Sequence, residues 1–276
     1  FLIKFFTLHQ RATGIRENNA GRIRVETAQG IPTEADILIG ADGLHSVVRP
    51  HLNGVHAPFF TGQVAWRAIV PAGGNLAPEA TVYMGPGRHL VTYPLREGRE
   101  INVVAVEERR EWAAEGWNHT DDPDKMRAAF ASFCPEVRSL LDRADEARLW
   151  GLFRHQVAPV WQRGRVAILG DAAHPTLPFL AQGAVMALED AWVLADSLDR
   201  AGTVGDGLAK YQSRREARAK RVVDAATGNA RNYHLRFVPL RLAAHTALRL
   251  ASVLAPGFAL RRFDWLYGYD VTRDGD

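Results

Sequence analysis

Apolar and polar positions change rhythm three times along this chain. Residues 7–28 read as two strands around a turn at Asn18-Asn19-Ala20-Gly21, with strict alternation over Arg22-Ile23-Arg24-Val25-Glu26-Thr27. Ala35-Asp36-Ile37-Leu38-Ile39-Gly40 is a near-continuous apolar run, as expected of a strand covered on both faces. Ala41-Asp42-Gly43 follows, then a short helix through Ser46-Val47-Val48-Arg49 that should stop at Pro50. Residues 63–70, 81–84, 89–95 and 101–106 are strand candidates separated by Gly/Pro turns, which predicts an antiparallel sheet and a second domain. Helices are expected over 123–133, capped by Asp121 or Asp122, and over 135–144. Trp150-Gly151-Leu152-Phe153 should return the chain to the first domain. A buried strand at 165–169 precedes helical patterns over 183–199, 206–232 and 238–254. In the first of these helices Glu189 and Asp190 fall near one edge of a broad apolar face. The fold class predicted is α/β, mixed with α+β features. Its divisions fall at 1–58, 59–150, 151–200 and 201–276.

Composition excludes more than it selects. The chain has 276 residues, 47% hydrophobic and 24% charged, enough for one large or two smaller globular domains. Its 34 basic and 31 acidic residues are interspersed, with no basic stripe interleaved with aromatics, which argues against nucleic acid. The single cysteine, Cys134, rules out an internal disulfide and a cysteine-rich metal site; it reads as a small, partly buried filler before Pro135. A reducing cytoplasm fits that usage. The most apolar tract, 237–260, is interrupted by Arg241, His245, Arg249 and Pro256, so no integral membrane association is expected. The apolar start, residues 1–6, is too short for a signal peptide and lacks a basic leader.

Candidate chemistry concentrates after the strand at 165–169. Gly170-Asp171-Ala172-Ala173-His174-Pro175 runs on to Gln182-Gly183-Ala184, where a helix opens. Asp171 stands at the carboxyl end of a buried strand, where open α/β sheets bind ligands. An ionised carboxylate only accepts hydrogen bonds, so it would select a polyol. The helix start offers free N–H groups and a positive dipole end, suited to an electron-rich ring. Small alanines let a ligand approach the backbone, Pro175 and Pro178 stiffen the loop, and Gly183 keeps the helix mouth open. Taken singly, Asp171 reads first as a cap or loop-closing residue, and His174 as a loop histidine bonded to backbone. Together they suit a flavin with its sugar-alcohol tail.

These residues, with Gln182-Gly183 and the upstream Ala41-Asp42-Gly43-Leu44-His45-Ser46-Val47-Val48-Arg49, resemble two fingerprints of the single-component FAD-dependent aromatic hydroxylases. That family includes salicylate, 3-hydroxybenzoate and 4-hydroxybenzoate hydroxylases. Ala187-Leu188-Glu189-Asp190-Ala191 and Tyr93-Pro94-Leu95 extend the resemblance, which runs from about Thr13 to Tyr269. It implies an incomplete FAD-binding Rossmann-like domain, an inserted antiparallel substrate sheet and C-terminal helices. It implies FAD held by Asp42, Gly43, Arg49, Gly170, Asp171, Ala172, His174, Pro175, Gly183 and Ala184. Asp171 would take the ribityl chain, and the Gly183 and Ala184 amides would face the pyrimidine. Arg49 reads equally as a surface ion pair. NADH or NADPH would reduce the flavin, and a flavin C4a-hydroperoxide formed with dioxygen would hydroxylate a small hydroxybenzoate-like acid. A homodimer is compatible with it.

Substrate residues follow from the middle sheet. His89 and Tyr93 lie four apart on one strand and so share a face. His89 is the candidate catalytic base for a phenol, with sheet packing as the bland alternative for both residues. Pro178 and Leu180 would line the pocket from the flavin side. Trp66 and Arg67 suit a ring or a carboxylate, though a tryptophan at such a place is more often simply core; Trp112, Trp117 and Trp161 read as packing.

One departure is plain. No Gly-x-Gly-x-x-Gly follows a first strand, and no acidic residue lies about 20 positions beyond one. The expectation is a fragment lacking a βαβ unit of roughly 30 residues. Such a fragment would bind FAD weakly or not at all, and a catalytically inactive remnant is the alternative reading.

Overall fold

The computed structural model describes residues 7–18, 21–74, 76–110, 119–255, 257 and 261–273. Trp112, Trp117, the apolar start and part of the 18–21 turn lie outside them. The chain divides into two compact units. One comprises residues 1–58, 154–227 and 268–276; the other comprises 59–153 and 228–267.

The first unit begins with an antiparallel sheet of β1 (Ala12–Glu17), β2 (Ile23–Thr27) and β3 (Thr33–Ala35). The apolar run at 35–40 is broken: Asp36 and Ile37 bend, and β4 (Leu38–Gly40) starts a separate sheet. Helix α1 covers Val48–Asn53, so Pro50 does not stop it. Pro50 stands in the first turn, where a missing N–H costs no helical hydrogen bond.

The second unit holds β5 (Phe59–Pro71), β6 (Thr81–Gly85), β7 (Arg88–Leu95), β8 (Glu100–Glu108), β9 (His119–Asp121) and β10 (Ala147–Arg154). They form one sheet in the order β6-β7-β8-β5-β10-β9. Residues 147–154 alternate weakly and pair with β9, so they continue this sheet before the chain leaves it. Helices α2 (Pro123–Ala129) and α3 (Pro135–Leu141) cover a core of Val64, Trp66, Leu90, Val103, Met126, Phe130 and Leu141. Asp122 caps α2 through the Asp124 amide. Cys134 is exposed at the position before α3, not a buried filler. Trp66 is core, its indole N–H donating to Asp121 at 2.9 Å.

Strands β11 (Gln162–Arg163) and β12 (Val166–Ile168) return to the first unit. β12 runs parallel to β4, with Ile168 beside Gly40. That register brings Asp42 and Asp171 to the carboxyl ends of neighbouring parallel strands. Helices α4 (Gly183–Asp199), α5 (Val204–Tyr233) and α6 (Val238–Leu254) follow; α5 contributes residues to both units. No single helix among the described residues is long and apolar enough to cross a membrane.

Candidate functional site

Gly40 begins the geometry. A Cβ there would lie 2.5 Å from the Val48 Cβ, so its absence lets α1 close on β4. The Asp42 carboxylate then caps α1, accepting from the Val47 and Val48 amides at 2.7 and 3.2 Å. Gly43 takes a φ of +76°, a left-handed turn that favours glycine. Arg49 is buried and makes no ion pair among the described residues. Its guanidinium donates to the carbonyls of Ala172, Ala173 and Gln156 at 2.8, 3.2 and 2.7 Å. Burial pulls its pKa below the usual arginine value. The upstream motif thus holds the downstream loop by its backbone.

The loop itself has an inner and an outer side. Gly170 donates its amide to Asp190 at 2.9 Å, and Ala172, His174 and Pro175 are buried. The Ala172 carbonyl is taken by Arg49, and His174 Nε2 lies 2.5 Å from Asp190. Gly170, Ala172, His174 and Pro175 thus shape the loop from within. Asp171 alone points outward. It is exposed, yet the surrounding bulk desolvates it and raises its pKa, with His174 opposing more weakly. A carboxylate in a hollow has that signature. It accepts no hydrogen bond from the described residues.

Gly183 opens α4 directly beside it. A Cβ on Gly183 would lie 3.9 Å from Asp171 Oδ1 and 3.6 Å from the Thr176 methyl. Gln182 precedes the helix without capping it, and the first turn carries no acidic residue. The Gln182 Oε1 is buried with no partner among the described residues, in a residue only 6% exposed. Ala184 is exposed. An exposed carboxylate in a hollow, an uncapped helix start and a buried acceptor unpaired among the described residues lie together, and this set fits FAD. Pro178 is exposed, while Leu180 is buried.

Behind the loop lies a charge cluster that sequence reading missed. Glu189 and Asp190 stand in the middle of the buried face of α4 with Met186, Val193, Leu194 and Ser197, not at its edge. Leu188 and Trp192 are exposed instead. Arg215, fully buried on α5, reaches Asp190 at 2.8 Å and Glu189 at 2.7 Å. Arg218 grips Glu189 with two 2.8 Å bonds. Burial works to raise the Asp190 pKa, but His174 and Arg215 outweigh it and hold the carboxylate below its usual value.

On the second unit, Tyr93 lines a cleft of about 290 Å³ with Tyr83, Thr92, Ile101, Glu136 and Arg143. His89 does not line it. The His89 imidazole is fully buried, 2.6 Å from His234 and packed against Tyr233. Burial, and then His234, pull its pKa down to about 3. Arg67 lies over the Trp150 ring.

A family model described as an FAD binding domain matches residues 7–226. The 3-amino-4-hydroxybenzoate 2-monooxygenase PtmB3 of Streptomyces platensis is 32% identical over 272 residues, covering 97% of this chain and 67% of that protein. The 3-hydroxybenzoate 6-hydroxylase of Polaromonas naphthalenivorans is 35% identical, covering 92% of this chain and 64% of its own length. A salicylate hydroxylase bound to its substrate superposes with a TM-score of 0.82 at 26% identity, over 96% of this chain and 69% of that one. Klebsiella pneumoniae HpxO with FAD and uric acid gives 0.76 at 28% identity, over 87% and 62%. The chain therefore spans about two thirds of the length of the proteins it matches.

Proposed function

The chain belongs to the FAD-binding-domain family of monooxygenases, and on that premise we propose that it serves the hydroxylation of a hydroxybenzoate-like aromatic acid. The observation that carries this is the exposed Asp171 carboxylate beside the uncapped start of α4. Asp171 would accept from ribityl hydroxyls, and the Gly183 and Ala184 amides would stabilise negative charge on the pyrimidine. Asp42, Gly43, Arg49, Gly170, Ala172, His174 and Pro175 hold that mouth in shape. FAD, reduced by NADH or NADPH, supplies the activation of dioxygen when bound.

The chain's own work is positioning and proton handling. A phenol attacks an electrophilic oxygen faster as phenolate. His89 Nε2 would take the phenolic proton, and its burial keeps competing water away. Substrate entry has to uncover that nitrogen. Tyr93 would orient the ring. The test is turnover of 3-hydroxybenzoate by the FAD-loaded protein with NADH or NADPH. A hydroxylated product is expected, with His89→Gln lowering kcat by about 10²-fold or more. NADH consumption with no hydroxylated product from any phenolic acid would overturn the reading.

A further inference from the structure

His89 does not stand alone. His234, immediately after α5, places Nε2 at 2.6 Å from His89 Nδ1, and its own Nδ1 lies 3.0 Å from Glu108 Oε1. Arg236 grips the other Glu108 oxygen with bonds of 2.9 and 2.5 Å. Backbone bonds lock the frame: Gly87 donates to the His234 carbonyl and Glu108 donates to the Gly87 carbonyl. Both imidazoles are buried, while Glu108 is one third exposed. We propose that His89, His234 and Glu108 form a proton relay leading away from strand β7, in which the charge settles on His234 against Glu108. The proposal rests on the reading of His89 as the group that receives the substrate's proton.

The direction follows from donors and acceptors. Burial tends to raise the Glu108 pKa, but hydrogen bonds from Arg236 and His234 prevail and hold it low, so the carboxylate only accepts. His234 must therefore carry its proton on Nδ1. Burial lowers the His234 pKa despite Glu108, so the ring is neutral and its Nε2 is a bare acceptor. His89 then has to donate from Nδ1, which leaves the lone pair on its Nε2. The neighbouring charges leave this order intact. Glu107 is held by Arg88 and Arg109, and burial keeps Tyr233 and Tyr267 protonated.

The transfer balances. The phenolic O–H proton moves to His89 Nε2 as the His89 Nδ1 proton moves to His234 Nε2. Phenolate and neutral His89 result, and the imidazolium rests on His234 against Glu108. A histidine that is a poor base on its own can thus act as a conduit, because the charge settles where a carboxylate faces it. The reverse path returns the proton to the product oxygen and resets both tautomers. His234 and Glu108 act through His89 and are positioning residues.

Long-range imidazole ¹H–¹⁵N spectra of the full chain at neutral pH test the wiring. Both rings should be neutral with the proton on Nδ1. Glu108→Gln, whose amide can donate as well as accept, should mix the tautomers of both rings, and Glu108→Asp should restore them. His234→Gln provides a second break in the chain. In the FAD-loaded protein, Glu108→Gln should lower kcat tenfold or more and move its pH profile, with KM for 3-hydroxybenzoate little changed. His89 protonated on Nε2 in the wild type, or tautomers indifferent to Glu108→Gln, would overturn the relay. The spectra need neither flavin nor substrate. Correct tautomers without hydroxylation would therefore count against the proposed function and not against the wiring.

Discussion

Arg215 is fully buried and has carboxylates on either side of its guanidinium. Neither charge tolerates the loss of the other, because an unpaired buried ion carries most of its desolvation penalty. Asp190 also holds the Gly170 amide and His174, so one side chain ties α4 and α5 to the loop bearing Asp171. Its folded pKa lies below the unfolded value. The linked stability is therefore full above about pH 4 and drains away as pH falls through the folded value. Asp190→Asn should cost about 3–5 kcal/mol at pH 7. Urea unfolding at a series of pH values should show wild type and variant converging as pH falls through the folded pKa of Asp190. A pH-independent gap would refute the assignment. The sequence showed Glu189 and Asp190 but not their burial, because the partners lie 25 or more residues ahead on another helix and no spacing rule reaches that far. His174 was visible as a candidate, yet its partner was not.

At the scale of elements, local pattern located most strands and helices, and long-range pairing set what pattern could not. Strand β9 has three residues, too few for periodicity, and exists because β10 pairs with it. Helix α1 starts later than the pattern suggests because Asp42 caps the Val47 and Val48 amides. Arg49 then joins α1 to the Ala172-Ala173 backbone. A guanidinium on carbonyls 123 and 124 residues away leaves no local signature in sequence. Arg49→Met keeps much of the apolar stem and removes these bonds. It should cost about 2–3 kcal/mol in urea unfolding. Protection of the Ala173 and His174 amides against hydrogen exchange should fall with it. Unchanged protection would show that the loop holds its shape without α1.

At the scale of the molecule, chain order and spatial order diverge. One unit is assembled from three separated stretches and the other from two, and helix α6 belongs with the large sheet. Sequence reading grouped α6 with the C-terminal helices because contiguity was its only guide to membership. The parallel pairing of β4 with β12 joins two motifs more than 120 residues apart at one sheet end, and this arrangement underlies the whole functional account. The most direct measurement is an amide ¹H–¹⁵N titration of the chain with FAD, repeated on Asp171→Ala. Saturable shifts centred on Asp171, Gly183 and Ala184 are predicted, weakened about tenfold or more in the variant. FAD-induced shifts confined to other residues, or shifts that Asp171→Ala leaves untouched, would contradict a flavin site at the mouth of α4.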